Sequence, residues 1–197
     1  MLRLLILLMV LIGCTAPSRE SKQEAEAGAA ESTNAEPCGV GPGSIDANGV
    51  GVFRIGATVA DVLADCPAAV DTVALDIEGN LQRALVHALS EGEEIRAEIV
   101  DGAVWRVRVT TPAATTGDGM GVGVPLSRLL ELPGIRTFEG EGRLFVTVAE
   151  HCGLSFRLNH VPGRGEHRGV WTESALEKLP GSTRIDEVLV FGCPNDS

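Results

Sequence analysis

Three of the four histidines lie close together in the sequence and could provide ligands for a metal ion. They are His151, His160 and His167, and Glu150 and Glu166 stand next to two of them. Imidazole nitrogens and carboxylate oxygens are common zinc and iron ligands, and a bound metal could activate water for hydrolysis. The three histidines lack the regular spacing that a helix or a strand gives to a pair of ligands. A small hydrolase or metal-dependent enzyme is therefore the alternative interpretation, and the main prediction includes no metal, no cofactor and no catalytic residue.

The cysteines predict structural bridges. Besides Cys14 there are four, an even number that favours two disulfides in an oxidising compartment: Cys38, Cys66, Cys152 and Cys193. Three pairings are available. Cys38 with Cys66 and Cys152 with Cys193 is favoured, because each bridge then closes a loop within one half of the chain, worth about 3–4 kcal/mol in the loop-entropy model. A zinc site is disfavoured since no C-x-x-C spacing is present.

The N-terminal residues predict a cleaved signal and a lipid acceptor. Arg3 precedes an apolar run at residues 4–12, which is too short to cross about 30 Å of hydrocarbon as a helix. The sequence Leu11-Ile12-Gly13-Cys14 resembles the bacterial prolipoprotein motif. That resemblance implies that residues 1–13 are the signal peptide, that cleavage follows Gly13, and that Cys14 carries the lipid.

Lipidation would place the protein on a membrane that no part of it spans. Two or three acyl chains on Cys14, palmitate among them, would anchor it stably in a lipid bilayer, whereas one chain binds only marginally. Family resemblance at Thr15, which is not Asp, favours the periplasmic side of the outer membrane in the bacterial cell envelope. Residues 14–37 are expected to be the lipidated cysteine and a disordered tether, because after Cys14 they contain no Val, Ile, Leu or aromatic residue.

The remaining residues, 38–197, are long enough for one globular domain with its own core. The formal net charge of the chain is −11. Such an acidic protein is a poor binder of nucleic acid, because a polyphosphate backbone would be repelled. Nucleic acid is therefore excluded as a partner.

Two segments of this domain share a spacing that indicates an internal duplication. In the first, Thr58 is a plausible N-cap for a short amphipathic helix that ends before Pro67. In the second, Pro125 is predicted at the first helical position. The apolar residues Leu126, Leu129 and Leu130 then repeat the spacing that Val59, Val62 and Leu63 have in the first. Strand patterns follow each helix. The domain is therefore expected to consist of the halves 38–112 and 113–197.

The best-defined strand pair is a hairpin between residues 95–99 and 105–109, where apolar and charged residues alternate. A two-residue turn would set apolar side chains against charged ones, so the loop is predicted to hold three residues and to end at Gly102. This register pairs Ala97 with Trp105. Trp105 is accordingly predicted to be a core residue, and a ligand-stacking role for it is the minority interpretation.

Further strands are predicted at 144–148, 154–158 and 185–191, and a short helix at 172–179. The predicted fold class is α+β. It consists of a mostly antiparallel sheet with short helices on one face, and the other face is exposed to solvent or available for binding. The duplication favours two fused αβββ-type halves.

Adjacent carboxylates could in principle form an acid–base pair. Glu93-Glu94 and Asp186-Glu187 are the examples. Neighbours on a strand point to opposite faces, so these pairs are predicted to be solvated charges that cannot share a substrate.

Several short segments carry a resemblance to known proteins. Gly-Val-Gly-Pro at residues 39–42, the helix start at residues 55–62, Val107-Arg108-Val109-Thr110-Thr111-Pro112, Val122-Gly123 and residues 187–190 resemble small bacterial envelope lipoproteins of unknown function. The Gly-x-Thr-x-x-x-Val helix start is similar to that of the SmpA/OmlA outer-membrane assembly lipoproteins and of the tandem-repeat β-lactamase inhibitor proteins. The resemblance implies helices packed on a small antiparallel sheet and supplies no catalytic residue.

The sequence therefore favours a non-enzymatic envelope lipoprotein that binds a protein partner or a ligand. Binding is expected through the exposed face of the sheet or through the loop at 160–171, with Phe53 and Trp171 as exposed contact residues. Its partners would be the lipid bilayer, through Cys14, and an envelope protein. The alternative is a periplasmic enzyme that uses the three histidines.

Overall fold

The computed structural model describes residues 37–75, 79–163 and 171–193. Residues 35–197 form one compact unit. The predicted signal peptide, Cys14 and nearly all of the tether lie outside the described residues. Within the described part, every helix is too short or too polar to cross a bilayer.

The described residues of the first half form one α-helix and seven strands. After a 3₁₀ turn at Pro37–Gly39 come β1 (Ile45–Asp46), β2 (Gly49–Val50), β3 (Phe53–Arg54), α1 (Val59–Asp65), β4 (Val70–Leu75), β5 (Leu81–Ser90), β6 (Glu93–Val100) and β7 (Ala103–Val109). The second half contains α2 (Leu126–Leu129), β8 (Arg136–Gly140), β9 (Arg143–Thr147), β10 (Leu154–Leu158), α3 (Glu173–Leu176) and β11 (Ile185–Val190).

These strands form two sheets. β1, β2 and β3 make a small sheet, and the other eight make a large one in the order β4-β5-β6-β7-β11-β10-β9-β8. All pairings are antiparallel. The predicted α+β class with a mostly antiparallel sheet is confirmed.

The large sheet consists of two four-stranded meanders that meet where β7 pairs with β11. Each meander follows a short helix, so each half has one strand more than the αβββ pattern predicted from the sequence. The last strands of the two halves therefore lie side by side at the centre of the sheet. This arrangement brings residues that are far apart in sequence onto one continuous surface.

The first helix begins as its sequence predicts. The Thr58 hydroxyl accepts a hydrogen bond from the Asp61 backbone N–H, and the Asp61 carboxylate accepts one from the Thr58 backbone N–H, which makes a capping box. The second helix begins one residue later than predicted. Pro125 is its N-cap residue, with extended backbone, and the helix itself starts at Leu126.

The predicted loop length and the predicted register of the β6–β7 hairpin are both wrong. The turn contains only Asp101 and Gly102, both with positive φ (52° and 83°), as a two-residue hairpin turn of this type requires. A bulge at Trp105 then shifts the register, so that Ala97 pairs with Val107. One extra residue is needed to keep the apolar faces of β6 and β7 on the same side of the sheet. That residue is Trp105, which lies within β7 and not in the loop.

One hydrophobic core lies against one face of the large sheet. The small sheet contributes Ile45, Val50 and Phe53 to this core, and the helices contribute Val62, Leu126, Leu129 and Leu176. Phe53 is fully buried, so the prediction that it is an exposed binding residue is wrong. The reason is that the small sheet covers the core.

Trp171 is also buried, at 4% exposure, and the prediction that it is an exposed contact residue is wrong. Its indole N–H donates a hydrogen bond to Glu139, and its backbone carbonyl accepts one from the Thr137 hydroxyl. These two bonds to β8 hold Trp171 against the domain, because a buried indole N–H needs an acceptor.

Both predicted disulfides are confirmed. Cys38 is bonded to Cys66, and Cys152 is bonded to Cys193. The first joins the 3₁₀ turn to the end of α1, and the second joins the β9–β10 turn to the residues after β11. Each therefore ties a loop to its own half of the sheet.

Candidate ligand groove

The face of the large sheet that points away from the core carries charged and aromatic side chains. Since successive side chains on a strand alternate, the residues between the core positions project from this second face. On the four central strands they are Glu94, Arg96, Glu98, Arg106, Arg108, Ser155, Arg157, Glu187 and Leu189. We call this surface the outer face.

Buried ion pairs cross the centre of the outer face. Arg106 donates hydrogen bonds to both oxygens of Glu98, with a closest distance of 2.6 Å. Glu187 lies within 3.0 Å of Arg108 and 2.9 Å of Arg157. The side chains of Glu98 and Glu187 are only 4% and 3% exposed. The prediction that Glu187 is a solvated charge is therefore wrong.

Two features of the fold produce this network. The β10–β11 pairing is irregular beside Arg157, so Arg157 contacts both Asp186 (2.7 Å) and Glu187. The β7–β11 pairing sets Arg108 beside Glu187. Burial by itself would lower the pKa of Arg108, but attraction to Glu187, Glu141 and Glu98 raises it. The Arg108 guanidinium is therefore held in its charged form, and the network joins the four strands β6, β7, β10 and β11.

Next to these charges, a groove of about 620 Å³ lies over β8, β9 and β10 and the end of β11. Most of its lining is apolar. Phe138 and Phe191 are 44% and 38% exposed, which is unusual for phenylalanine. Phe138 stacks on the buried Phe145 ring, with centroids 5.0 Å apart and the rings nearly parallel. This stack holds Phe138 in place at the groove.

Trp105 extends the aromatic surface beyond the groove. Its ring lies 6.2 Å from that of Phe191, and the Arg106 guanidinium lies 4.7 Å from its centroid. It is 38% exposed, so its prediction as a core residue is wrong. The bulge in β7 is the reason, because it places Trp105 outside the regular alternation of the strand.

Ser155 and Arg136 are polar groove residues whose side chains have no hydrogen-bond or ion-pair partner among the described residues. The Ser155 hydroxyl is buried and has no hydrogen-bond partner. Arg136 has an exposed side chain, and no carboxylate of the described residues pairs with its guanidinium. Burying an unsatisfied hydroxyl costs about 1–3 kcal/mol, so a group that bonded to Ser155 would recover part of this cost. The groove thus offers an apolar surface together with the Ser155 hydroxyl and the Arg136 guanidinium.

The three histidines proposed as metal ligands have separate surroundings. His151 lines the groove, and its Nε2 lies 3.1 Å from Asp118. Burial raises the pKa of Asp118, but hydrogen bonds from Thr116 and the nearby His151 outweigh burial and lower it. His160 packs edge-on against Trp171, and His167 lies outside the described residues.

Among the described residues, neither His151 nor His160 belongs to a group of three side chains close enough to share a metal ion. The group that does meet this condition is Cys38, Cys66 and His87. The interpretation as a histidine metal enzyme therefore gains no support from this part of the chain.

Sequence reasoning missed the groove residues Phe138, Phe191, Ser155 and Arg136. Phe138 and Arg136 do carry a signal, because they alternate with Thr137 in a strand pattern. Nothing local shows that Phe191, about fifty residues further on, lies over the same groove. The strand order β11-β10-β9-β8 is what brings them together.

Comparison with known proteins gives a distant structural likeness. No protein-family profile matches the chain, and no curated protein matches it. Among solved structures, the chain is similar to the crystal structure of the uncharacterized protein YfeY from Escherichia coli. The two are 11% identical with a TM-score of 0.49, and the match covers 77% of this chain and 99% of that one.

Proposed function

We propose that this protein is a lipid-anchored envelope protein whose domain binds a small amphipathic ligand in the outer-face groove. The ligand would have an apolar or aromatic body and an anionic group. Ligand sites typically have volumes of about 300–1,000 Å³, are mainly apolar and contain few polar groups. The groove volume of about 620 Å³ and its lining agree with this description.

The observation that carries the proposal is the buried, unpartnered Ser155 hydroxyl in a groove otherwise lined mostly by apolar groups. If the groove bound no ligand, a buried polar group without a partner would only destabilise the protein. Phe138 and Phe191 would contact the apolar body, and Arg136 would attract the anionic group.

Two dyes of similar size test this proposal: anionic 1-anilinonaphthalene-8-sulfonate and neutral N-phenyl-1-naphthylamine. We expect both to bind a chain that begins at residue 15, with increased fluorescence and one dye per chain. Phe138→Ala combined with Phe191→Ala should weaken both dyes, by an amount that reflects about 1–3 kcal/mol per lost aromatic contact. Arg136→Gln should weaken only the anionic dye.

Two controls separate the groove from general surface effects. Leu81→Ala removes a side chain that is 75% exposed and lies outside the groove. Arg143→Gln removes a cation of β9 that does not line the groove. Neither should change dye binding. Equal weakening by Leu81→Ala and by the double phenylalanine variant would contradict the proposal.

The anchoring part of the proposal depends on Cys14. Metabolic labelling with a fatty acid should label the full-length chain, and the label should be lost in Cys14→Ser. The same substitution should move the protein from the membrane fraction to the soluble fraction, because the acyl chains supply the binding energy. Labelling that persists in Cys14→Ser, or a mature N-terminus elsewhere by mass spectrometry, would refute it.

A further inference from the structure

The Cys38–Cys66 disulfide lies beside a buried histidine. His87 is on β5 and is 7% exposed, Cys66 is fully buried at the end of α1, and Cys38 is partly exposed in the 3₁₀ turn. The two sulfur atoms and a His87 ring nitrogen all lie within 4.8 Å of one another. Three separate elements thus bring three metal-binding side chains to one point.

The His87 ring has an unused ligand atom. Its Nδ1 is buried and, within the described part of the chain, has no hydrogen-bond partner. The ring is stacked against Phe53, with centroids 6.4 Å apart and an interplanar angle of 19°. Burying such a nitrogen without a partner costs about 1–3 kcal/mol, and a bond to a metal ion would remove that cost. The packing of His87 therefore leaves a ring nitrogen without a hydrogen bond among the described residues, on a ring that lies beside the two sulfurs.

We propose that reduction of the Cys38–Cys66 disulfide turns this cluster into a Zn²⁺ site with two thiolate ligands and one imidazole ligand. Thiolate and imidazole are the ligands that zinc prefers. Zinc–sulfur and zinc–nitrogen bonds are about 2.3 and 2.0 Å long, so the ligand atoms need to lie roughly 3.5–4 Å apart. The three ligand atoms lie within 4.8 Å of one another, so zinc binding requires the two sulfurs to separate and any longer distance to shorten by under about 1 Å. Water would fill the fourth position.

The chemistry balances with an external dithiol as the reductant. One dithiol sulfur, as thiolate, attacks the partly exposed Cys38 sulfur, and the S–S bond breaks to release Cys66 as a thiolate beside His87. The second dithiol sulfur then attacks the mixed disulfide and frees Cys38. The dithiol leaves as a disulfide, and the protein gains two electrons and two protons. Zinc binding returns the two thiol protons to solvent.

The second disulfide is an internal control. In the described part of the chain, Cys152 and Cys193 have no third side chain close enough to complete a metal site. The proposal therefore predicts metal binding at one reduced cysteine pair and not at the other, although both pairs are reduced together.

The test uses the full-length chain carrying Cys14→Ser, reduced without oxygen and freed of reductant. We expect the reduced protein to bind one Zn²⁺ by metal analysis and to give thiolate-to-metal charge-transfer absorption with Co²⁺. The oxidised protein should bind none. Cys152→Ser with Cys193→Ser should keep this stoichiometry, whereas Cys38→Ser with Cys66→Ser should abolish it. His87→Ala should weaken binding by more than the roughly 10–100-fold loss that an outer-sphere change causes.

Folding is followed by near-ultraviolet circular dichroism in the same samples. Zinc should restore the native spectrum of any reduced chain that has lost it, because binding and folding are coupled. The proposal is overturned if the reduced chain binds no zinc, if zinc does not restore a lost spectrum, or if Cys38→Ser with Cys66→Ser binds zinc equally well.

Discussion

Replacing Phe53 by alanine is expected to lower the free energy of unfolding by about 3–5 kcal/mol. The Phe53 side chain is fully buried in the core, where its ring stacks against His87. Its removal would leave a cavity that the two-residue strand β3 cannot fill by a small shift, because the backbone pairing of β3 with β2 holds the strand in place. Urea unfolding of the variant and the unmodified chain measures the difference.

Phe191→Ala is the matched control for this experiment. It removes the same side chain from a position that is 38% exposed, so we expect a loss of only about 1 kcal/mol. Equal losses for Phe53→Ala and Phe191→Ala would contradict the burial of Phe53. Such a result would also restore the view from sequence that Phe53 lies on the surface.

Two of the three misplaced aromatic residues, Phe53 and Trp171, show where sequence reasoning ends. Phe53 lies in a strand of two residues, which is too short to show any alternation that would reveal its buried face. Trp171 is held by Glu139, which is 32 residues away in the sequence. In both cases the residues that bury the side chain are distant in the sequence, so no local pattern indicates the burial.

Elements with a local cause were predicted well. The Thr58 capping box fixes the start of α1 within four residues, and alternation fixes the strands of the β9–β10 hairpin. The disulfides could be predicted because each joins cysteines within one half of the chain. Burial of the apolar faces of β6 and β7 requires one residue more than a regular two-residue hairpin has, but the prediction wrongly placed that residue in the loop. It could not show that the extra residue is Trp105, since a bulge and a longer loop satisfy the same pattern.

The outer face was harder to predict, because its features come from pairing between distant strands. Glu187 is buried only because Arg108 and Arg157 reach it from two neighbouring strands. Adjacent carboxylates on a regular strand would point to opposite faces, but the irregular β10–β11 pairing lets Asp186 and Glu187 contact the same arginine. The groove forms beside this network, where four strands from the second half meet.

Glu187→Ala is expected to destabilise the domain by about 3 kcal/mol, since removing one partner of a buried ion pair leaves the other charge uncompensated. Arg108 and Arg157 would then face each other with side chains only 25% and 17% exposed. Asp71→Ala is the control, because its pair with Arg83 lies at the exposed edge of the sheet. Asp71→Ala should change the free energy of unfolding far less, and equal effects would contradict the importance of the buried network.

A third variant separates two quantities: the net contribution of the ion-pair network to the free energy of unfolding, and the loss of stability when only one of its charges is removed. Replacing Glu187, Arg108 and Arg157 together by leucine or methionine removes all three charges and leaves apolar side chains of similar length. Because desolvation of buried charges offsets much of their attraction, this variant should recover most of the stability lost in Glu187→Ala. If it does, stability alone does not require the charges, and the dye-binding assay can be repeated on the triple variant. Dye binding that falls while stability holds would show that these charges shape the groove.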